Sequence, residues 1–401
     1  MDGTRQDVLK NIDEWIEDMT ASNILWIKGH PGVGKSAIAS TVVNRLRGSK
    51  RLGACFFFER AKADILTPFA LWRMVSFDLS EKYPTVRRHL VAKLDADRDI
   101  PRTGNVDELF RQLIHEPLMG SEGIPAGRLP VIVIDALDEC GGLDAERLAR
   151  RGKVLQTLKN WRSLPSHFKI VVTSRAENDI DRALGGISSI IEIGAGTSTT
   201  LQSSIDISAF LTIRLREIAE EWPDLKEWPK PQDIEQLVDK TGGLFIWARV
   251  VADFIRDGDP LKQLTRIQDG EGIAGDMAAL YSHILQVSFP NPSRADMDDF
   301  HSILGAIIFS QRPLPAKSLS GLLEIGERSI HLICRKLSSV VDSGDVLKIT
   351  HQSFTDFLIN KKAKSFCINR KHEEQRLTLA CLRTRKNGLQ FNICKLESSY
   401  F

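Results

Sequence analysis

Residues 24–36 read Ile-Leu-Trp-Ile-Lys-Gly-His-Pro-Gly-Val-Gly-Lys-Ser, and this stretch decides the fold. Ile24 to Ile27 form an apolar run of the kind that makes a buried strand. From Gly29 to Ser36 the residues satisfy G-x-x-x-x-G-K-[ST] at every fixed position. The residues after it, Ser36–Arg47, place Ile38, Ala39, Val42, Val43 and Leu46 at helical spacing. Strand, glycine-rich turn and helix together define a phosphate-binding loop. Its backbone N–H groups converge at a helix N-terminus, where the partial positive charge holds phosphate. Lys35 would reach the β- and γ-phosphates, and the Ser36 hydroxyl would ligate Mg²⁺. The candidate nucleotide-binding set is therefore Gly29, His30, Pro31, Gly32, Val33, Gly34, Lys35, Ser36 and Ala37.

A second stretch, Pro130–Cys140 (PVIVIDALDEC), completes this chemistry. Val131 to Ile134 predict a strand buried on both faces, with Asp135, Asp138 and Glu139 just beyond it. Ligands of open α/β sheets lie past the carboxyl ends of the strands. Asp135 is placed to share the Mg²⁺ of Ser36, and the acids after it to orient or deprotonate an attacking water. Phe168–Arg175 (FKIVVTSR) predicts another buried strand. Arg175 at its tip reads either as a γ-phosphate contact or as a surface arginine.

The chain has 401 residues, 42% hydrophobic and 26% charged, and a net charge of +2. That length requires more than one core. The overall charge does not suggest a nucleic-acid binder. From Lys361 onward ten Lys and Arg face three Asp and Glu, which is +7 and leaves −5 elsewhere. Such a tail is either a solvated helical face or a contact for an acidic partner. Six cysteines (55, 140, 334, 367, 381 and 394) include no C-x-x-C pair, which argues against a zinc site and a disulfide scaffold. No apolar run is long enough for a transmembrane helix, and the first residues lack a signal-peptide core. A cytoplasmic protein is expected.

Strands are further expected at 53–58 and 189–193, and helices at 1–21, 67–94 (broken near Pro84) and 105–119. Strands alternating with helices predict a parallel sheet covered on both faces. The Gly/Ser/Thr-rich segment 194–204 marks a domain edge. Helices follow at 205–222, 232–240, 244–256 and 277–287, with Gly242 and Gly243 allowing a close approach to the nucleotide or the sheet. A third part has helices at 296–309, 316–323 and 329–341, a turn at 342–345, a strand at 346–349 and a helix at 351–361. This order suggests a winged helix. Its helix 329–341 carries only Arg335 and Lys336 among apolar residues, so DNA contact is not expected. The expected domains are 1–195, 196–290, 291–365 and 366–401.

The ordered set Gly3-Thr4-Arg5, ILWIKGHPGVGKS, ACFFFER (54–60), VIVIDALDEC, KIVVTSR, GGLFIWA (242–248) and HQSFTDFL (351–358) resembles the NACHT branch of the STAND NTPases. Fungal NOD-like receptors with nephrocystin-type NACHT modules are the nearest pattern. The resemblance implies an α/β P-loop NTPase followed by a helical domain and a winged-helix domain. It implies an ADP-bound closed state that opens on exchange for ATP and then oligomerises, in innate immunity or incompatibility signalling. By the same likeness Asp135 serves Mg²⁺, Asp138 and Glu139 serve hydrolysis, and Arg175 is a sensor arginine. His351 matches a winged-helix histidine that contacts the ADP β-phosphate; otherwise it reads as a helix cap. Arg5 lies where such proteins contact base or ribose. ATP is expected over GTP: the nearest match to a guanine-reading N-K-x-D, Asn360-Lys361-Lys362-Ala363, lacks the Asp. A nucleotide-binding scaffold with little turnover is the other reading. Relatives carry an effector domain before this module and repeats after it. Neither is found here, so the chain reads as a truncated or short form, with 366–401 the start of a helical region.

Overall fold

In a computed structural model the described residues are 4–121, 124–141, 147–196, 199–270 and 274–389. Gly3, Cys394 and the end of the 366–401 region lie outside them. The chain divides into two compact units, Met1–Ala248 and Arg249–Phe401. The boundaries expected at 195 and 290 both fall inside a unit.

The first unit is built on a five-stranded parallel sheet: β1 (Ile24–Gly29), β2 (Leu52–Phe57), β3 (Val131–Asp135), β4 (Lys169–Ser174) and β5 (Ser189–Ile193), in the order β2-β3-β4-β1-β5. All five strands fall where the apolar runs place them. Strands β1, β3 and β4 are nearly all-apolar runs because helices cover both faces, so no alternation is imposed. Strand β4 lies between β1 and β3, pairing Ile27 with Thr173 on one side and Ile134 with Val172 on the other. This crossover sets the site, because it puts the tip of β4 beside Asp135.

One face is filled by an aromatic cluster in which Trp72 stacks on Trp161 at 6.3 Å and meets Phe110 edge-on at 4.8 Å. Buried tryptophans need a partner for the indole N–H. Trp72 finds the Thr157 hydroxyl at 3.1 Å, Trp161 the Phe168 carbonyl at 2.9 Å, and Trp26 the Ser174 hydroxyl at 2.8 Å. The helix expected at 105–119 contains a π-helical turn at Arg111–His115, just before Pro117. Proline lacks the N–H that continues an α-helical ladder, and the wider turn accommodates that loss.

The second unit holds helices Pro260–Asp269, Met277–Ser288, Arg294–Phe309, Ala316–Leu323 and Glu327–Lys336. An antiparallel hairpin follows, β6 (Val341–Ser343) and β7 (Leu347–Ile349), and then helices Gln352–Leu358 and Arg370–Gly388. The helix Pro260–Asp269 had no expectation. The helix expected to run to 341 stops at Lys336, and the turn expected to begin at 342 starts later. Val340-Val341 is a β-branched pair that favours extended backbone, so Val341 opens a strand instead.

Candidate functional site

Strand β1 runs into the loop 29–36, and the helix Lys35–Gly48 begins inside the motif. Gly32 and Gly34 adopt φ of 83° and 97°. A β-carbon at Gly32 would stand 1.9 Å from Ile246 Cγ2, so only glycine fits. One main-chain and one side-chain donor also clamp the loop from outside. The Ile246 N–H donates to the Gly32 carbonyl at 3.0 Å, and Arg5 Nη2 donates to the Val33 carbonyl at 3.1 Å.

Arg5 is itself held. Its N–H donates to Asp206 Oδ2 at 2.8 Å, its Nη1 to the Ser203 hydroxyl at 2.5 Å, and its guanidinium lies 5.0 Å from the Phe245 ring centre. It is buried in a left-handed backbone conformation, φ 55°. The helices Leu201–Glu220 and Phe245–Arg256 thus reach the loop through one arginine and one N–H. A narrow cleft lined by Arg5, Gly34, Ala37, Thr41 and Phe245 opens beside the first turn of the phosphate helix. Gly243 packs against Thr199, and the Gly196 N–H donates to the Gly242 carbonyl at 2.7 Å, so the pair meets the chain just after β5.

Lys35 Nζ donates to the Gly29 and His30 carbonyls at 2.8 and 2.9 Å. Burial pushes its pKa down to about 8, opposed by the charge of Asp138 and counted further down by Arg175. Of the remaining loop residues, Gly29 and Val33 are buried, Pro31 is partly buried, and His30 and Ser36 are exposed.

The acids divide by environment. Asp135 is buried at the tip of β3, where desolvation raises its pKa and hydroxyl hydrogen bonds from Thr173 and Ser36 lower it. Thr173 Oγ1 also accepts the Ala136 N–H at 3.0 Å, so one hydroxyl fixes both the carboxylate and the turn after it. Asp138 is buried and both its oxygens are used. Oδ2 pairs with Arg175 Nε at 3.1 Å and Oδ1 accepts the Arg175 N–H at 3.0 Å. Glu139 differs: burial, and then the neighbouring charge of Asp138, push its pKa up to about 7. It accepts a hydrogen bond from the Arg60 N–H at 3.0 Å, just after β2. The turn carrying both acids is fixed from behind by Arg151. That side chain is fully buried, donates to the Asp138 carbonyl at 3.1 Å and pairs with Asp179 and Glu177 at 2.8 and 2.7 Å.

Sequence-expected residues Gly29–Ala37, Asp135, Asp138, Glu139 and Arg175 therefore share one edge of the sheet. The adjacency of the Ser36 hydroxyl and the Asp135 carboxylate is a hard-oxygen pair of the kind Mg²⁺ uses, so these residues fit that ion. His351 belongs to the second unit. It caps the helix Gln352–Leu358, its Nδ1 accepting the Ser353 N–H at 3.1 Å. Thr173, Arg151 and Ile246 were missed. Thr173 stood in the quoted Thr-Ser-Arg, but its role depends on strand order; Arg151 carried no local signal.

Loop, parallel sheet and strand order define a P-loop NTPase fold. Residues 3–175 match the family model of the nephrocystin 3 N-terminal region. The chain is 23% identical over 382 residues to the vegetative incompatibility protein HET-E-1 of Podospora anserina, covering 88% of this chain and 26% of that one. The chain thus spans about a quarter of that relative's length. Among solved structures, a STAND protein with a tetratricopeptide repeat sensor from Pyrococcus horikoshii matches with a TM-score of 0.48 and 11% identity, over 95% of this chain and 45% of that one. A Walker-type ATPase of Pyrococcus abyssi matches with a TM-score of 0.44 and 13% identity, over 91% and 95%. Over residues 3–175, the stretch that carries the phosphate loop and strands β1 to β4, the chain is thus similar to the nephrocystin 3 N-terminal family.

Proposed function

We propose that this chain is a nucleotide-driven signalling switch that binds ATP or ADP at Gly29–Ala37 and hydrolyses ATP slowly. The observation that carries the reading is the contrast between adjacent acids. Asp138 is locked to Arg175, whereas Glu139 has a pKa near 7 beside the phosphate loop. A general base works best when its pKa lies near the operating pH. Glu139 is accordingly the group that takes the proton of the attacking water. Asp138 acts as a positioning residue that holds Arg175 at the site. Mg²⁺, held by Ser36 and Asp135, would neutralise phosphate charge. Lys35 would exchange the Gly29 and His30 carbonyls for phosphate oxygens.

The switch needs an element that distinguishes the two nucleotides. A ligand shifts a two-state equilibrium only through differential affinity, and going from 1:99 to 99:1 takes about 5.5 kcal/mol. We assign part of that to His351, in a second unit read as a winged helix from its helices and the β6–β7 hairpin. With Nδ1 accepting the Ser353 N–H, a neutral ring carries its proton on Nε2, a donor suited to a β-phosphate. Opening and oligomerisation in an immunity-type response are part of this proposal. They follow the likeness to a vegetative incompatibility protein. The test is calorimetric titration of His351→Ala with ADP and ATP. ADP affinity should fall about tenfold more than ATP affinity; equal changes would remove His351 from the switch.

A further inference from the structure

At the opposite end of the sheet, a pocket of about 510 Å³ opens beside the first residue of β2. Four cations line it, Arg47, Lys50, Lys82 and Arg128, and among the described residues no carboxylate does. Its floor is apolar, with Leu52 and the Tyr83 ring both buried. We propose that this pocket is a second binding site, separate from the nucleotide loop, for a small organic phosphate with an apolar body.

Size and lining fit such a ligand. Small-molecule sites are concave, mostly apolar and carry a few convergent polar groups. Here the apolar floor would take an aryl or alkyl body and the cationic rim a phosphate dianion. The Tyr83 hydroxyl is pushed up to about 12 by burial, against the pull of Arg51 and Arg128, so it stays protonated as a donor. The site does not overlap the nucleotide loop. Arg47 sits in the last turn of the helix whose first residue is Lys35, and about 17 Å of helix separate it from Ser36.

A purely structural role explains only half of the cations. Arg47 and Lys82 lie in the last turns of their helices, where basic side chains answer the helix dipole. Lys82 also donates to the Gly53 carbonyl at 2.9 Å, and Arg47 to Asn44 Oδ1 at 3.1 Å. Among the described residues Lys50 and Arg128 have no such duty. Lys50 stands beyond its helix at φ 59°, a left-handed position that glycine or asparagine fills with less strain. Arg128 ends a short 3₁₀ turn and is exposed. Two helix C-termini end at this rim, and the helix Pro84–Ala96 begins there with Tyr83, Pro84 and Thr85 in the lining, so an anion here would be held by the side-chain cations together with that one helix N-terminus.

The experiment titrates the full chain, saturated with Mg²⁺ and ADP, with 1-naphthyl phosphate, read by calorimetry. Binding should persist under saturating ADP and in Lys35→Ala. The double variant Lys50→Glu, Arg128→Glu should weaken it at least tenfold, and the milder Lys50→Ala about threefold. Inorganic phosphate and 1-naphthol should each bind at least tenfold more weakly than the probe. The proposal is overturned if ADP abolishes probe binding, if the double variant binds within twofold of the parent, or if inorganic phosphate binds as tightly. Absence of any binding at millimolar probe overturns it equally. None of these outcomes bears on the nucleotide loop, whose own test is separate.

Discussion

The two ends of one helix, Lys35–Gly48, meet very different surroundings. At its start the chain offers backbone N–H groups, two left-handed glycines and a lysine, with acids close by. At its end it offers side-chain cations over an apolar floor and, among the described residues, no acid in the lining. The helix dipole accounts for the difference. It favours anions at the N-terminus, where main-chain donors suffice, and opposes them at the C-terminus, where side chains and the start of another helix, Pro84–Ala96, would have to hold one. On the proposed reading the first end also needs carboxylates for metal and water, and the charges of its buried acids are balanced in different ways: Asp138 by Arg175, Asp135 by Thr173 and Ser36, Glu139 by remaining partly protonated near neutrality.

Substitutions at the first end should have the larger effects. Glu139→Gln should slow hydrolysis by about 10²–10⁴ while changing ADP affinity less than threefold. In the parent chain, hydrolysis should rise with pH and reach half its plateau near pH 7, as Glu139 ionises. The stability consequence has a definite sign. Between its ordinary 4.5 and about 7 the folded chain keeps a proton that the unfolded chain releases. This group therefore favours the fold at low pH and costs stability as pH rises through that window. Glu139→Gln should remove that cost, raising stability above pH 7 by about 1–2 kcal/mol, an amount discounted because Glu139 is partly solvated. A turnover rate flat from pH 5 to 8 would take Glu139 out of the reaction.

Gly32→Ala comes next. It forces a β-carbon into Ile246 and a non-glycine residue to φ near 83°. The expected loss is about 2–4 kcal/mol, read from urea unfolding. A loss under 0.5 kcal/mol would mean that the clamp through Ile246 is loose. At the other end, the double variant Lys50→Glu, Arg128→Glu should leave nucleotide affinity within twofold. A larger change would join two ends that the geometry separates.

The sequence made much of the first end legible, for a physical reason. A strand buried on both faces must be an apolar run, and a phosphate loop must place glycines and a lysine at fixed offsets. Ile24–Ser36 and Val131–Glu139 therefore identified themselves. What escaped was everything set by strand order and long-range packing. Nothing local to Thr173 says that β4 will lie between β1 and β3 and bring its hydroxyl to Asp135. Arg175 read as a phosphate contact or a surface residue, yet it pairs with Asp138. Arg151 sits in a helix with an ordinary pattern, and only its partners Glu177 and Asp179 reveal it as the support of the acidic turn. The first strand of the β6–β7 hairpin has no signal in the sequence because Val341–Ser343 is too short for alternation to show. The basic pocket drew no notice in the sequence, since Arg47, Lys50, Lys82 and Arg128 are scattered over about eighty residues and meet only in the fold.

The central claim is that Gly29–Ala37 holds a nucleotide. The most direct measurement is chromatographic identification of the nucleotide released on denaturing the purified chain, beside Lys35→Ala prepared in the same way. The account predicts near-stoichiometric adenine nucleotide, chiefly ADP, from the parent. It predicts almost none from the variant, whose affinity should be about a hundredfold weaker, roughly 3 kcal/mol. Equal nucleotide content in the two preparations would contradict it.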